Sequence, residues 1–213
     1  MTDDVPWWVI NFLKGGSRKT TTTMFVAFAL ADDGEDVLVI DADDGTQGVT
    51  DWAGEVYGNG ETLPFDVVQW SPGQGLLVPF INQAVERFSP DRVLIDVGGE
   101  APHVLKQALT RASLLISPLG GERGELSRVP ATQVIAMNAG VRQIAVITRT
   151  PDPGRGLARK CRTEVTKAGI EMLETEVQQN LDIYSHVWGT IPPTLGVYRK
   201  VTDEIKARVK HGK

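Results

Sequence analysis

The chain has 213 residues, 41% hydrophobic and 23% charged, with a formal net charge of −5, as in an ordinary globular protein long enough to bury a sizeable core. Its single cysteine, Cys161, excludes an intrachain disulfide and a cysteine metal cluster and reads as a structural residue on a helix. Residues 1–8 carry neither the basic nor the apolar part of a secretion signal, and no apolar run reaches the ~18 residues of a membrane span, so a cytoplasmic protein is expected. Charge is uneven: residues 1–140 hold 9 Lys and Arg against 19 Asp and Glu, whereas residues 141–213 hold 13 against 8. A basic C-terminal third on an acidic body can bind an anionic polymer through one face, although an ordinary solvated surface also accounts for it.

Taken in chain order, the apolar pattern predicts strands over 7–13, 36–40, 65–70, 92–95, 114–117 and 143–148. Helical patterns fall between and after them, over 19–33, 75–88, 102–111, 124–138, 154–168 and 195–210. Val37-Leu-Val-Ile, Val93-Leu-Ile, Leu114-Leu-Ile and Ile144-Ala-Val-Ile are continuously apolar, as strands buried on both faces should be. Pro102 and Pro130 fall near helix starts, where a missing N–H costs little. The alternation predicts an α/β fold: a doubly wound, mostly parallel sheet with helices on both faces. With no repeat or long linker, one domain over 1–213 is expected. Such sheets bind ligands beyond the carboxyl ends of their strands.

At the end of the first strand stands Lys14-Gly15-Gly16-Ser17-Arg18-Lys19-Thr20-Thr21, running straight into a helix. Glycines let backbone N–H groups curl round an anion, and the helix N-terminus adds its positive dipole. In such a cradle Lys19 reaches the β- and γ-phosphates and the Thr20 hydroxyl ligates Mg²⁺. Asp41, Asp43 and Asp44 lie at or just after one strand end and Asp96 ends another, offering the oxygen ligands that Mg²⁺ prefers.

This loop resembles the deviant Walker A motif of the ParA/MinD ATPases, written K-G-G-x-G-K-T-T. The resemblance continues in Val37-Leu-Val-Ile-Asp41-Ala-Asp43-Asp44-Gly45-Thr46-Gln47-Gly48, in the Walker B-like Arg92-Val-Leu-Ile-Asp96-Val-Gly-Gly, and in Val197-Tyr-Arg-Lys-Val-Thr-Asp-Glu-Ile near the end. It implies a P-loop NTPase that binds ATP and Mg²⁺ and forms a homodimer on ATP, with Lys14 reaching the partner subunit's phosphates like an arginine finger. It also implies that Asp43 positions the attacking water, that Asp96 holds metal-bound water and that Asp41 supports the metal shell. Arg149 and Asn180 occupy the regions that hold the base in relatives. Arg155, Arg159, Lys160, Arg162 and Lys167 would supply nonspecific DNA contacts, whose affinity falls steeply with salt. No helix-turn-helix region precedes the motif, which resembles the small partition ATPases. The implied function is segregation of plasmid or phage DNA, with hydrolysis stimulated by a ParB-like centromere-binding partner and the protein associated with the nucleoid. No amphipathic tail follows Lys206, which argues against a MinD-like role on a membrane.

The chain departs from that pattern in three places. Arg18 stands where the family has glycine, a position that often takes φ > 0, where a side chain costs roughly 1–2 kcal/mol. Asp44 replaces a proline, and Gly98-Gly99 replace a proline pair. Two readings of Arg18 follow: phosphate binding persists, or the loop is disabled and the chain is a non-hydrolysing DNA- or protein-binding scaffold. Retention of Lys19, Thr20, Asp43 and Asp96 together favours the first.

Overall fold

The computed structural model describes residues 5–150, 154–179, 184 and 186–211. Among these, seven strands form one sheet: β1 (Trp7–Ile10), β2 (Val37–Ala42), β3 (Asp66–Gln69), β4 (Arg92–Val97), β5 (Leu114–Leu119), β6 (Gln143–Ile147) and β7 (Glu171–Met172). Their order is β3-β2-β4-β1-β5-β6-β7, and every pairing is parallel. Parallel neighbours need long crossovers, which the helices supply: α1 (Lys19–Asp32), α2 (Gly48–Gly58), α3 (Leu77–Phe88), α4 (Pro102–Leu109), α5 (Arg123–Leu126), α6 (Val129–Asn138), α7 (Gly156–Lys167) and α8 (Tyr198–His211). The result is the doubly wound α/β architecture expected from the alternation of patterns.

Side chains alternate across the sheet with period two. Trp8, Ile10, Val39, Leu94 and Ile116 face one way and pack under α1, α2 and α8; Trp7, Val9, Leu38, Ile95 and Leu115 face the other and pack under α3 and α4. A third cluster joins Phe12, Leu119 and Ile147 to Cys161 and Val165 of α7. Burial pushes the Cys161 thiol up to about 12, so it stays protonated and serves as a small apolar residue.

Three local features differ from the expected pattern. Helix α2 was not expected, because Gly48, Gly54 and Gly58 mask an apolar stripe of Val49, Trp52, Ala53 and Val56 at helical spacing. The stretch 124–138 divides into α5 and α6 ahead of Pro130, whose ring and missing N–H bar a continuous helix. Strand β7 has two residues, too few to leave a periodic signal.

Helix α1 has almost no solvent face: every residue from Thr21 to Leu30 is buried, between the sheet and α8. That fits its small and apolar sequence, and the buried hydroxyls find partners, Thr22 pairing with the Tyr198 hydroxyl at 2.9 Å. Phe25 stacks on Tyr198 at 5.0 Å and meets Tyr184 and Trp52 edge-on at 5.3 and 6.3 Å. Outside this aromatic seam, Arg199 of α8 donates to the Ala29 carbonyl and pairs with Asp32 and Asp33, while Lys206 reaches Asp33 at 2.8 Å and Glu35 at 3.0 Å. Phe25→Ala is expected to lower unfolding stability by about 3–5 kcal/mol, measured by urea denaturation at pH 7.

Candidate nucleotide site

The turn between β1 and α1 is fastened before it is curled. Asn11 is fully buried, and its amide donates to the carbonyls of Val97 at 2.9 Å and Gly98 at 3.0 Å, binding the start of the loop to the end of β4. Gly16 and Arg18 both take positive φ, +75° and +65°. Arg18 is therefore the left-handed N-cap of α1, a conformation that favours glycine. Lys19 folds back so that its ammonium donates to the Lys14 carbonyl at 3.2 Å. A cleft of about 700 Å³ opens above, lined by Gly15, Gly16, Arg18, Lys19, Thr20 and Thr21 on one side and by Asp43, Thr46 and Gly99 on the other. That volume suits a nucleotide-sized ligand.

Register brings the carboxylates together: Asp41 and Asp96 are paired neighbours on β2 and β4. Asp96 has no exposed surface, and its two oxygens accept from the hydroxyls of Thr20 at 2.7 Å and Thr23 at 3.2 Å. Burial first, and then the Asp41 charge, push the Asp96 carboxyl up to about 7. Asp41 is also raised by burial, against hydrogen bonds from the Thr50 N–H and hydroxyl at 2.8 and 2.9 Å and from the Asp43 N–H at 3.1 Å. Thr50 lies in the first turn of α2, so that unexpected helix is the element that holds Asp41. Asp43 is fixed by its own turn, accepting from the Gly45 and Thr46 N–H groups at 3.1 and 3.3 Å and from the Thr46 hydroxyl at 2.8 Å.

These donors fit Mg²⁺. Two buried carboxylates repel one another beside a hydroxyl at ligand distance, and a divalent cation would offset that repulsion. Among the described residues no three His, Cys, Asp or Glu side chains are placed to hold a metal ion by themselves. Thr20 would offer such an ion a direct oxygen and Asp96 would hold its water.

Lys14 points away from this cleft. Its ammonium pairs with Glu122 at 3.7 Å and lies against Gly124, where an added Cβ would approach it to 3.0 Å. Arg149, expected near the base, takes φ +56° and pairs with Glu125 at 3.3 Å and Glu122 at 3.7 Å. Glu125 is fully buried and also accepts from the N–H groups of Gly120 and Glu122. Asn180, the other expected base contact, lies outside the described residues. Glu122, Glu125, Thr23 and Thr50 carry no site signal in the sequence. The spacing of Glu122 and Glu125 matches the capping box that opens α5, whereas Thr23 and Thr50 reach the site through hydrogen bonds to carboxylates remote in sequence.

Of the expected DNA contacts, Arg155, Arg159 and Lys160 stand exposed at and along the start of α7. Lys167 is exposed and pairs with Glu164 at 3.1 Å. Arg162 turns inward to Glu176 at 3.0 Å and to the Leu173 carbonyl at 3.1 Å. No helix of the described residues is long and apolar enough to cross a membrane.

The Gly98-Gly99 departure has a steric cause. An added Cβ would fall 2.8 Å from Oδ1 of Asp43 at Gly98, and 2.6 Å from the Lys14 carbonyl at Gly99. The β4 turn thus touches the phosphate loop directly, and Gly99→Ala is expected to cost about 1–3 kcal/mol of stability and to weaken ATP binding, read from urea melts and calorimetry.

The raised Asp96 carboxyl also predicts a pH dependence. Its folded pKa of about 7 lies above the unfolded 3.8, so the ligand-free protein loses stability from this group as pH rises through that window. Asp96→Asn removes the effect, and the variant should gain roughly 2–3 kcal/mol over wild type between pH 5 and pH 8, measured by urea denaturation without Mg²⁺.

A family model described as the CobQ/CobB/MinD/ParA nucleotide binding domain matches residues 8–205. No curated protein matches the chain. Solved structures share its fold at low identity. A Borrelia burgdorferi protein described as a plasmid partition protein, bound to AMPPNP, superposes with a TM-score of 0.75 at 15% identity, covering 97% of this chain and 98% of that one. pNOB8 ParA bound to nonspecific DNA gives 0.68 at 16% identity, covering 98% and 100%. Cobyrinic acid a,c-diamide synthase from Mycobacterium smegmatis, with bound ADP and magnesium, gives 0.72 at 19% identity, covering 98% and 97%. With a curled lysine loop after β1, an aspartate near the end of β4 and a family match over residues 8–205, the chain belongs to the CobQ/CobB/MinD/ParA nucleotide-binding family, with a ParA/MinD-type Walker site.

Proposed function

We propose that this chain is a ParA-like partition ATPase acting as a single domain over 1–213. In this reading it binds ATP with Mg²⁺, dimerises, coats DNA nonspecifically and hydrolyses ATP when a ParB-like centromere-binding protein stimulates it, thereby segregating plasmid or phage DNA. The observation that carries the reading is the 2.7 Å contact between Thr20 and Asp96 at the mouth of a glycine-lined cleft, with the Lys19 ammonium folded over the same loop. AMPPNP, ADP with magnesium, and nonspecific DNA on structural relatives support the same ligand set.

Each residue then has a task. Lys19 and the loop N–H groups hold the β- and γ-phosphates, and the α1 dipole favours their charge. Mg²⁺ held by Thr20 and by water on Asp96 would supply positive charge to offset the charge of the phosphates. Thr20 would touch that ion directly, and Asp96, which accepts from the Thr20 hydroxyl at 2.7 Å, would orient its water. Asp43, held by three donors from its own turn, faces the cleft and positions the attacking water. The outward direction of Lys14 suits a role across a dimer, since its ammonium cannot serve its own cleft while paired with Glu122. Arg155, Arg159 and Lys160 present positive charge to DNA phosphates. On this reading the protein is cytoplasmic and associated with the nucleoid.

A second reading, a scaffold with a disabled loop, is favoured by one observation only, the side chain that Arg18 carries at positive φ. Calorimetry with Mg²⁺-ATP separates the two. Wild type should bind ATP, and Lys19→Ala should weaken it on the order of 100-fold. Lys14→Ala should keep nucleotide binding while losing ATP-dependent dimerisation by light scattering and ATP-dependent retention of DNA. Absence of ATP binding by wild type would leave the scaffold.

A further inference from the structure

Among the described residues four tryptophans are at most 2% exposed, whereas Trp188 is 38% exposed and borders the 700 Å³ cleft. It stands in a turn over 187–190, closed by the Thr190 N–H and hydroxyl donating to the Val187 carbonyl at 3.1 and 2.9 Å. That turn is fastened to α2 at three points. The Trp52 indole donates to the Thr190 carbonyl at 2.8 Å, and the rings of Trp52 and Trp188 meet at 4.9 Å. Gly189, at φ +72°, lies so close to α2 that an added Cβ would fall 2.7 Å from Cβ of Glu55. Packing on Trp52 accounts for one side of the Trp188 ring, and the rest of it faces the cleft.

The tip of the ring meets the first residue of α2. At Gly48 an added Cβ would lie 3.3 Å from Cη2 of Trp188 and 3.1 Å from both Cγ2 and Oγ1 of Thr20. The α2 backbone therefore passes between the indole and the residue whose hydroxyl donates to Asp96 at 2.7 Å. Two residues further on, Thr50 donates from its N–H and hydroxyl to Asp41. The placing of this first turn thus sets both the space around the Thr20 hydroxyl and the hold on Asp41. No side chain caps α2 at Gln47, itself left-handed, so support for the turn comes from its flanks. Removal of the indole would leave a gap beside Gly48 and forfeit the contacts that press it towards Thr20.

We propose that Trp188 is a positioning residue of the nucleotide site: its ring braces Gly48 against Thr20, fixes the hydroxyl that would meet Mg²⁺, and so sets how far Mg²⁺ tightens nucleotide binding. Groups behind a metal-contacting side chain govern metal affinity by roughly 10–100-fold. This inference rests on the nucleotide-binding reading above.

The test is calorimetry of ADP binding to the full chain, in excess Mg²⁺ and in EDTA, using wild type, Trp188→Ala and Trp188→Tyr. In Trp188→Ala the factor by which Mg²⁺ tightens ADP should fall about tenfold, with affinity in EDTA within about twofold of wild type. Trp188→Tyr, whose ring keeps most of the reach, should hold that factor within about threefold of wild type. An unchanged factor in Trp188→Ala, or equal losses in Mg²⁺ and in EDTA, overturns the proposal while leaving nucleotide binding intact. A urea melt accompanies each variant. Should Trp188→Ala fail to fold, wild type still decides, because Trp188 is the tryptophan open to a quencher. Acrylamide quenching of the ADP complex should fall when Mg²⁺ is added, since an ion on Thr20 tightens the stack that the ring closes, and no change overturns the proposal. Absence of ADP binding by wild type, with or without Mg²⁺, removes the nucleotide reading and this inference together.

Discussion

A carboxylate with no exposed surface terminates β4, beside another on β2, and the site is organised around that pair. Parallel register sets Asp41 against Asp96, and neither can move away without breaking the ladder. The chain answers with hydroxyls: Thr20 and Thr23 from the first turns of α1 reach Asp96, and Thr50 from the first turn of α2 reaches Asp41. Two helix N-termini consequently converge where negative charge is concentrated. The arrangement is destabilising for an empty protein and favourable for one that holds a divalent cation and phosphates. Apolar residues at these two positions would make a more stable sheet and remove the chemistry.

Most of the architecture was legible because parallel strands buried on both faces leave continuous apolar runs. The four runs beginning at Val37, Val93, Leu114 and Ile144 all became interior strands of the sheet. The phosphate loop was legible for a different reason: few sequences need two glycines, a lysine and a threonine between a strand and a helix. What stayed hidden depends on partners remote in sequence. Helix α2 combines three glycines with a correct apolar stripe, and packing of Trp52 and Val56 outweighs their propensity. Glu125 looks like any surface acid until Gly120, Glu122 and Arg149 are seen gathered on it. The glycines at 98 and 99 read as a departure from a motif, and only the fold shows what stands opposite them.

The basic excess of the C-terminal third divides into two populations. Arg199, Lys206 and Arg208 of α8 are committed to Asp32, Asp33, Glu35, Glu171 and Glu204, where they hold α8 against α1 and the sheet edge. Arg142 and Arg162 are likewise engaged by Glu171 and Glu176. The cations at the start of α7 remain directed outward. A count of charge along the sequence cannot make that separation, because whether a lysine stabilises the fold or meets a polymer depends on which acid lies across from it.

The contact of Gly99 with the Lys14 carbonyl has an evolutionary consequence. Because the two turns touch, substitutions at Gly99 and in the phosphate loop beside Lys14 are not independent events. A proline introduced at 98 or 99 into the present backbone would strike Asp43 or the phosphate loop unless a compensating shift occurred elsewhere. A lineage that acquired the close approach early would be held to it, and a designer grafting this loop onto a related scaffold must carry both turns across together.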